Sequence, residues 1–409
     1  MIDAKDRAIL REVAKQQHEC AVSPEMEELR RLWEKHGAFE QERPMITIEL
    51  DTFRDEIIPP LLRCEGEEAR GIEASLYANF VNHTLFGDDF VVDDFYGVSP
   101  QCWFKPFDLD LHVTHADLGV GHHFDPVISD LHEDFHKLKK SSFHVDMEGT
   151  RKRIDYLNGL FGDILPVRLK GGALVSCLTQ DVVHLMGMEN MFFAMYDYPD
   201  EFQQMMNMLA DDYLAYFDYL SKNGAILPTC SSEWLGNGSK CFTDELQEKS
   251  GVLTSKDVWG FMDSQETVGV SKDMFAEFIF PAYQKVAGQF GLLSYGCCEP
   301  VDPVWEPCLS KLPNLRKLSI SPWCNEEIMG EQLSGKRVVY FRKPSPNFLG
   351  VGTTLDEAAA AEHIDKTVQA AKGCTLEIAQ RDVYTVSNSP EKVRRYVEII
   401  RQSCEKGIG

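Results

Sequence analysis

Trp259-Gly260-Phe261-Met262-Asp263, Leu292-Leu293-Ser294-Tyr295-Gly296-Cys297, Leu315-Arg316-Lys317-Leu318-Ser319-Ile320-Ser321 and Val338-Val339-Tyr340-Phe341 are four short apolar runs, each closed by turn-forming or polar residues. Ala225–Pro228 precedes them and Leu376–Ala379 follows, giving six strand candidates. Helical patterns lie over Asp273–Gln289, up to about Leu312, over Asp356–Lys372 and from Pro390 onward. Strands alternating with helices imply parallel strands joined by crossovers, and near-continuous apolar strands imply a sheet covered on both faces. The alternation fits a (β/α)8 TIM barrel. A doubly wound sheet gives the same order, but no glycine-rich dinucleotide fingerprint follows any of these strands.

Working outward, Leu165–Leu169 is a further strand candidate, preceded by a helix from Asp146 to about Phe161 with Asp146 as its cap. Residues 178–222 form a long helical region, broken at Tyr198-Pro199 and stopped at Gly224. Residues 4–20 and 24–36 repeat apolar side chains at helical spacing, and Met45–Leu50 is a short strand candidate. Residues 51–87 look helical. Phe90–Val92 and Trp103–His112 look extended, and 113–140 is expected as a surface insertion. The expected organisation is therefore an N-terminal helical extension (1–44) followed by one barrel (45–409) that carries an insertion.

The length of 409 residues suits one barrel plus an extension, and two ordinary domains also fit. A net charge of −24 argues against nucleic acid and anionic membranes as partners. The polar start Met1-Ile2-Asp3-Ala4-Lys5-Asp6 has no apolar signal core, and no run of apolar residues is long enough to span a bilayer. Twelve cysteines without a CxxC pair fit reduced thiols, so a cytoplasmic location is expected.

In a barrel, polar groups just after each strand face the catalytic mouth. Those positions are Asp263 to Glu266, Tyr295 to Glu299, Ser321 to Cys324, Arg342-Lys343, and Glu377 with Arg381-Asp382. Cys297, Cys298 and Glu299, with Cys324 and Asp382 from neighbouring strand ends, offer soft and hard donors for zinc. Two other readings stand beside it: buried cysteines as small apolar side chains, and a catalytic thiol activated by Arg342 or Lys343. Asp263 and Glu266 suit acid–base work, with Tyr295 beside them; the same spacing also fits a helix capping box. Arg342 and Lys343 can hold an anionic substrate or form a surface ion pair, and Trp323 and Trp234 can wall a pocket or pack in the core. His112, His115, His122 and His123 are metal-ligand types, but the adjacent pair would face opposite ways on a strand, which favours surface histidines.

The stretch from Asp181 to Asp382 resembles the uroporphyrinogen decarboxylase superfamily, which includes cobalamin-dependent methyltransferases. The resemblance rests on Tyr196-Asp197-Tyr198-Pro199-Asp200, on Asp263 followed by Ser271–Phe278 and Pro281-Ala282-Tyr283, and on Asn388-Ser389-Pro390-Glu391-Lys392-Val393. It implies a (β/α)8 barrel and covers roughly half of the chain. The decarboxylase's arginine-rich N-terminal signature is absent. The methyltransferase branch holds zinc through His-x-Cys and a later Cys; here Tyr295-x-Cys297 stands in the first place, and Asp382 or Val383 falls near the second. The resemblance thus implies methyl transfer from a small methylated donor, possible O-demethylation of a methoxyaromatic, and zinc in an altered site. It also implies a corrinoid supplied by a partner protein, because the corrinoid-binding Asp-x-His-x-x-Gly is missing, and a homodimer. The alternative is a decarboxylase-like lyase in which Asp263 stabilises a protonated intermediate and Arg342 holds a carboxylate.

Overall fold

The computed structural model describes residues 2–115, 122–247, 249 and 251–408. Its principal sheet has seven strands among these residues: β1 (Met45–Ile48), β2 (Leu174–Val175), β3 (Trp259–Met262), β4 (Leu292–Tyr295), β5 (Leu315–Ile320), β6 (Val339–Arg342) and β7 (Leu376–Gln380). All pairs are parallel, in the order β1-β7-β6-β5-β4-β3-β2. The strands are almost wholly buried because helices cover the outer face and side chains fill the inner one.

Inward residues stack in layers, as strand alternation requires. Lys317 and Glu377 meet at 2.7 Å low in the sheet, with His36 at 3.2 Å from the carboxylate. Ser319, Phe341 and Ala379 lie above them, and Lys343 and Arg381 follow two residues further along their strands. The inner space also holds a hairpin, Trp234–Gly236 with Ser239–Lys240. Lys317 Nζ donates to Ser239 Oγ and to the Lys240 carbonyl.

The expected eight-stranded closed barrel is not what forms. The sheet curls but stays open between β2 and β1. The reason lies at the free edge of β1. The Ile46 and Ile48 amides donate at 2.8 Å to the carboxylates of Asp89 and Asp88, and Asn82 donates to the Ile48 carbonyl at 2.7 Å. Side chains thus satisfy the groups a closing strand would use. At the other edge β2 has two residues, preceded by Gly171-Gly172. Val167–Leu169 pairs with Tyr96–Val98 in a separate parallel ladder.

Other expectations are corrected locally. Ala225–Pro228 is irregular, and residues 51–87 break into short helices, of which Glu67–Ala78 is the longest. The expected extended stretch Trp103–His112 is represented by strand Gln101–Lys105, which pairs antiparallel with Ser142–Asp146. Elsewhere the boundaries agree: helices span Ala4–Ala21 and Pro24–Gly37, Asp146 caps Met147–Phe161 through the Gly149 amide at 2.7 Å, and helix Leu178–Asp197 ends before Pro199–Lys222. Trp33, on the second helix, stacks on Phe242 and donates to the Asp89 carbonyl, which seats the N-terminal helices on the sheet. Among the described residues no helix is long and apolar enough to cross a membrane.

Candidate active site

The C-terminal ends of β3, β4, β6 and β7 and the hairpin tip converge. Gly296 makes the turn out of β4 with φ +99, and a Cβ there would approach Ser319 Cβ at 2.9 Å, so only glycine delivers Cys297 to the mouth without strain. Cys297 Sγ stands 2.9 Å from Arg381 Nη1, 3.5 Å from Cys298 Sγ and 3.7 Å from Asn237 Oδ1. Lys343 Nζ donates to the Gly296 and Cys297 carbonyls at 3.2 and 3.1 Å. The hydrogen bond with Cys298, then the charges of Lys343 and Arg381, outweigh burial and bring the Cys297 thiol down to about 7. Its neighbour Cys298 is pushed the other way by that same bond and by burial. Arg381 is held by Asn237, by Glu49 at 3.2 Å and by Asp382 at 3.1 Å.

On the opposite wall, Asp263 is 5% exposed, and its Oδ1 has no hydrogen-bond partner. Burial, then the charges of Glu299, Cys297 and Glu266, push its carboxyl up to about 8. Tyr283 donates to the Asp263 carbonyl at 2.6 Å and contacts Thr179 Oγ1 at 2.8 Å; Thr179 in turn donates to Glu266 at 2.9 Å. Burial also raises Glu266. Behind this chain, half-buried Asp181 accepts from Tyr213 at 2.6 Å and is raised to about 7 by loss of hydration.

The structure therefore brings together Asp263, Glu266, Tyr295, Cys297, Cys298, Glu299, Lys343 and Asp382, and it gives several of them tasks the sequence did not suggest. Asp263 and Glu266 do not form a capping box; Ser264 precedes the short turn Gln265–Thr267. Tyr295 is 1% exposed, with its hydroxyl 2.6 Å from Ser264 Oγ, so it packs beneath the mouth. Glu299 accepts from the Ser264 and Cys297 amides at 2.9 Å each and clamps the two strand ends together. Cys324 Sγ faces the Val301 amide at 3.4 Å and is 8% exposed.

Arg342 is spent elsewhere. It donates to the Ile320 and Ser321 carbonyls, to Glu326 at 2.6 Å and to Thr367, and is 1% exposed. Trp323 is 77% exposed and Trp234 47%. His112 is exposed; the side chains of His115, His122 and His123 lie outside the described residues.

As arranged, the expected zinc donors do not make a ligand set. Glu299 is consumed by backbone amides and Cys324 points at Val301. Cys298 and Asp382 meet at 3.5 Å, but the cation beside Cys297 is Arg381. Among the described residues no group of three or more His, Cys, Asp or Glu is placed to hold a metal. Sequence reasoning missed Asn237, and it placed Arg381 and Ser264 at strand ends without giving either a task. Asn237 carried a signal: Gly236-Asn237-Gly238 is a tight-turn sequence, and Asn237 takes φ +55 at the hairpin tip.

No family model matches the chain, and no curated protein matches it. Among solved structures, it is similar in fold to a methyltransferase from Methanosarcina mazei, with a TM-score of 0.53, 13% identity, and coverage of 93% of this chain and 98% of that one.

Proposed function

We propose that the chain is a methyltransferase that passes a methyl group from a small methylated donor, with methoxyaromatics the first candidates, to a corrinoid carried on a partner protein. One observation carries this proposal: at the mouth, a buried Asp263 carboxyl with an unpartnered Oδ1 accompanies a Cys297 sulfur that Arg381 contacts and the nearby Lys343 charge favours as thiolate. The fold shared with a methyltransferase agrees with it.

Breaking a methyl–oxygen bond leaves an alkoxide or phenoxide that needs a proton. A carboxyl raised to about 8 is protonated at neutral pH, so Asp263 donates that proton to the leaving oxygen. The negative Cys297 sulfur stabilises the positive charge that builds on the methyl carbon in flight. Arg381 and Lys343 draw an anionic substituent of the donor toward the mouth. The corrinoid acceptor belongs to the partner, and exposed Trp323 at the rim offers an apolar contact for it. No step is assigned to zinc, because the donors that would hold it are engaged. The lyase alternative loses its carboxylate anchor, since Arg342 is bound inside the fold.

The test is anaerobic incubation with cob(I)alamin and a panel of methoxybenzoates, following cobalamin absorbance and release of the phenol. Asp263→Asn is expected to lose at least about 100-fold in rate, the scale of one general acid. No demethylation of any donor, or an undiminished rate in the variant, would overturn the proposal.

A further inference from the structure

The hairpin that carries Asn237 at its tip ends in Lys240, which is 8% exposed. The Lys240 ammonium stands 4.1 Å from the Phe90 ring centroid. Among the described residues no carboxylate pairs with it and no oxygen accepts a hydrogen bond from it. A largely buried ammonium without an acceptor, its Nζ still open to solvent, favours an incoming anion.

Nearby groups are already committed. Lys170 pairs with Asp93 and donates to Ser232. The Gln17 amide donates to the Asp93 and Phe95 carbonyls and accepts from Asn79. Asp88 accepts from the Ile48 and Phe90 amides and from Asn82.

Lys240 borders a cavity of about 190 Å³ with Phe90, Phe95 and Trp234 on its apolar side and Gln17, Asn79 and the Asp93–Lys170 pair on its polar side. That space equals roughly six waters at about 30 Å³ each. Asp93, Phe95, Lys170 and Gly171 also line a cleft of about 670 Å³, where Arg30 and Arg168 stand among Glu27, Asp94 and Glu233, so the inner chamber opens onto a larger cleft of mixed charge. The site is separate from the mouth: Lys240 lies at the base of the hairpin, where its carbonyl accepts from Lys317, and Asn237 lies at the other end beside Cys297.

We infer that this cavity binds a small organic monoanion, a carboxylate on an apolar body no larger than a single ring, with Lys240 as its counter-charge. One uncommitted cation selects a singly charged group over a phosphate. The aromatic walls select an apolar body over a bare inorganic ion.

Calorimetric titration of the full chain with benzoate and with its neutral isostere benzamide tests the site. Benzoate is expected to bind the Lys240 chamber, apart from any binding at the mouth, at least tenfold more tightly than benzamide. Lys240→Met is expected to abolish that site, while Lys152→Met, at an exposed surface lysine, leaves it intact. Equal binding of the two probes to the unmodified chain overturns the inference, as does no benzoate binding at millimolar concentration. The same number and affinity of benzoate sites in folded Lys240→Met, or loss of the site in folded Lys152→Met, overturns it too. If Lys240→Met does not fold, the benzoate–benzamide comparison on the unmodified chain decides.

Discussion

Replacing Arg381 by Gln tests whether the mouth is built around an activated thiol. Arg381 Nη1 lies 2.9 Å from Cys297 Sγ, and both groups are largely buried. Two charges about 4 Å apart interact by about 4 kcal/mol at an effective dielectric near 20. Much of that is offset by the cost of burying the guanidinium and by Glu49 and Asp382, which also bond to it. A net loss of about 1.4 kcal/mol is a conservative share, equal to about one pKa unit. The thiol would then rise from about 7 to near 8. At pH 7 the ionised fraction falls from about one half to about one tenth, so alkylation of Cys297 slows about fivefold.

The assay is iodoacetamide labelling across pH, with Cys297 and Cys298 resolved by peptide mass spectrometry. The midpoint for Cys297 should move upward in Arg381→Gln. In Cys298→Ala it should also move upward, because the hydrogen bond from the neighbouring thiol to the Cys297 sulfur is lost. A midpoint near 9 in the unmodified chain would refute the electrostatic account of the site. So would an unchanged midpoint in Arg381→Gln.

Other outcomes follow from the same contacts. Asp89 accepts from Arg43 at 2.6 and 2.8 Å, from Arg401 at 3.1 Å and from the Ile46 amide, so Asp89→Ala should cost about 3 kcal/mol and lower the Tm by several degrees in a calorimetric scan. Glu377 is buried, but Lys317 and His36 hold its carboxyl down to about 2. Its contribution to stability is therefore complete above the unfolded value of about 4.3 and fades as pH falls toward 2; Glu377→Gln should flatten that acid limb in urea titrations. Dialysis against a chelator should leave methyl transfer unchanged if Arg381 is the cation serving Cys297, and loss of activity restored by zinc would show that the mouth rearranges around a metal.

What the sequence revealed and what it hid have separate physical causes. Local signals worked where the structure is locally determined: the Pro199 break, the Asp146 cap and the strand running to Met262 before Asp263 stand where propensity and periodicity put them, whereas β4 stops at Tyr295, two residues short of Cys297. Barrel closure failed as an expectation because it is decided by Asp88 and Asp89 reaching back about 40 residues to the edge of β1, which no local pattern records. The site was half legible for a different reason. Cys297 and Glu299, two apart, would share a face inside a strand, but Gly296 has already turned the chain. Arg342 and Lys343 were treated as a pair although neighbours on a strand face opposite ways: Arg342 turns outward to Thr367, and Lys343 inward to the Cys297 carbonyl. The same parity gives Arg381, placed at a strand end by the sequence, its inward direction. A buried acid at Glu377 opposite Lys317 marks the inward face of β7, and counting by twos through Ala379 arrives at the arginine that holds the thiol. In such a sheet a lone cation at the end of an inward row is a stronger pointer to the mouth than any pair of adjacent polar residues.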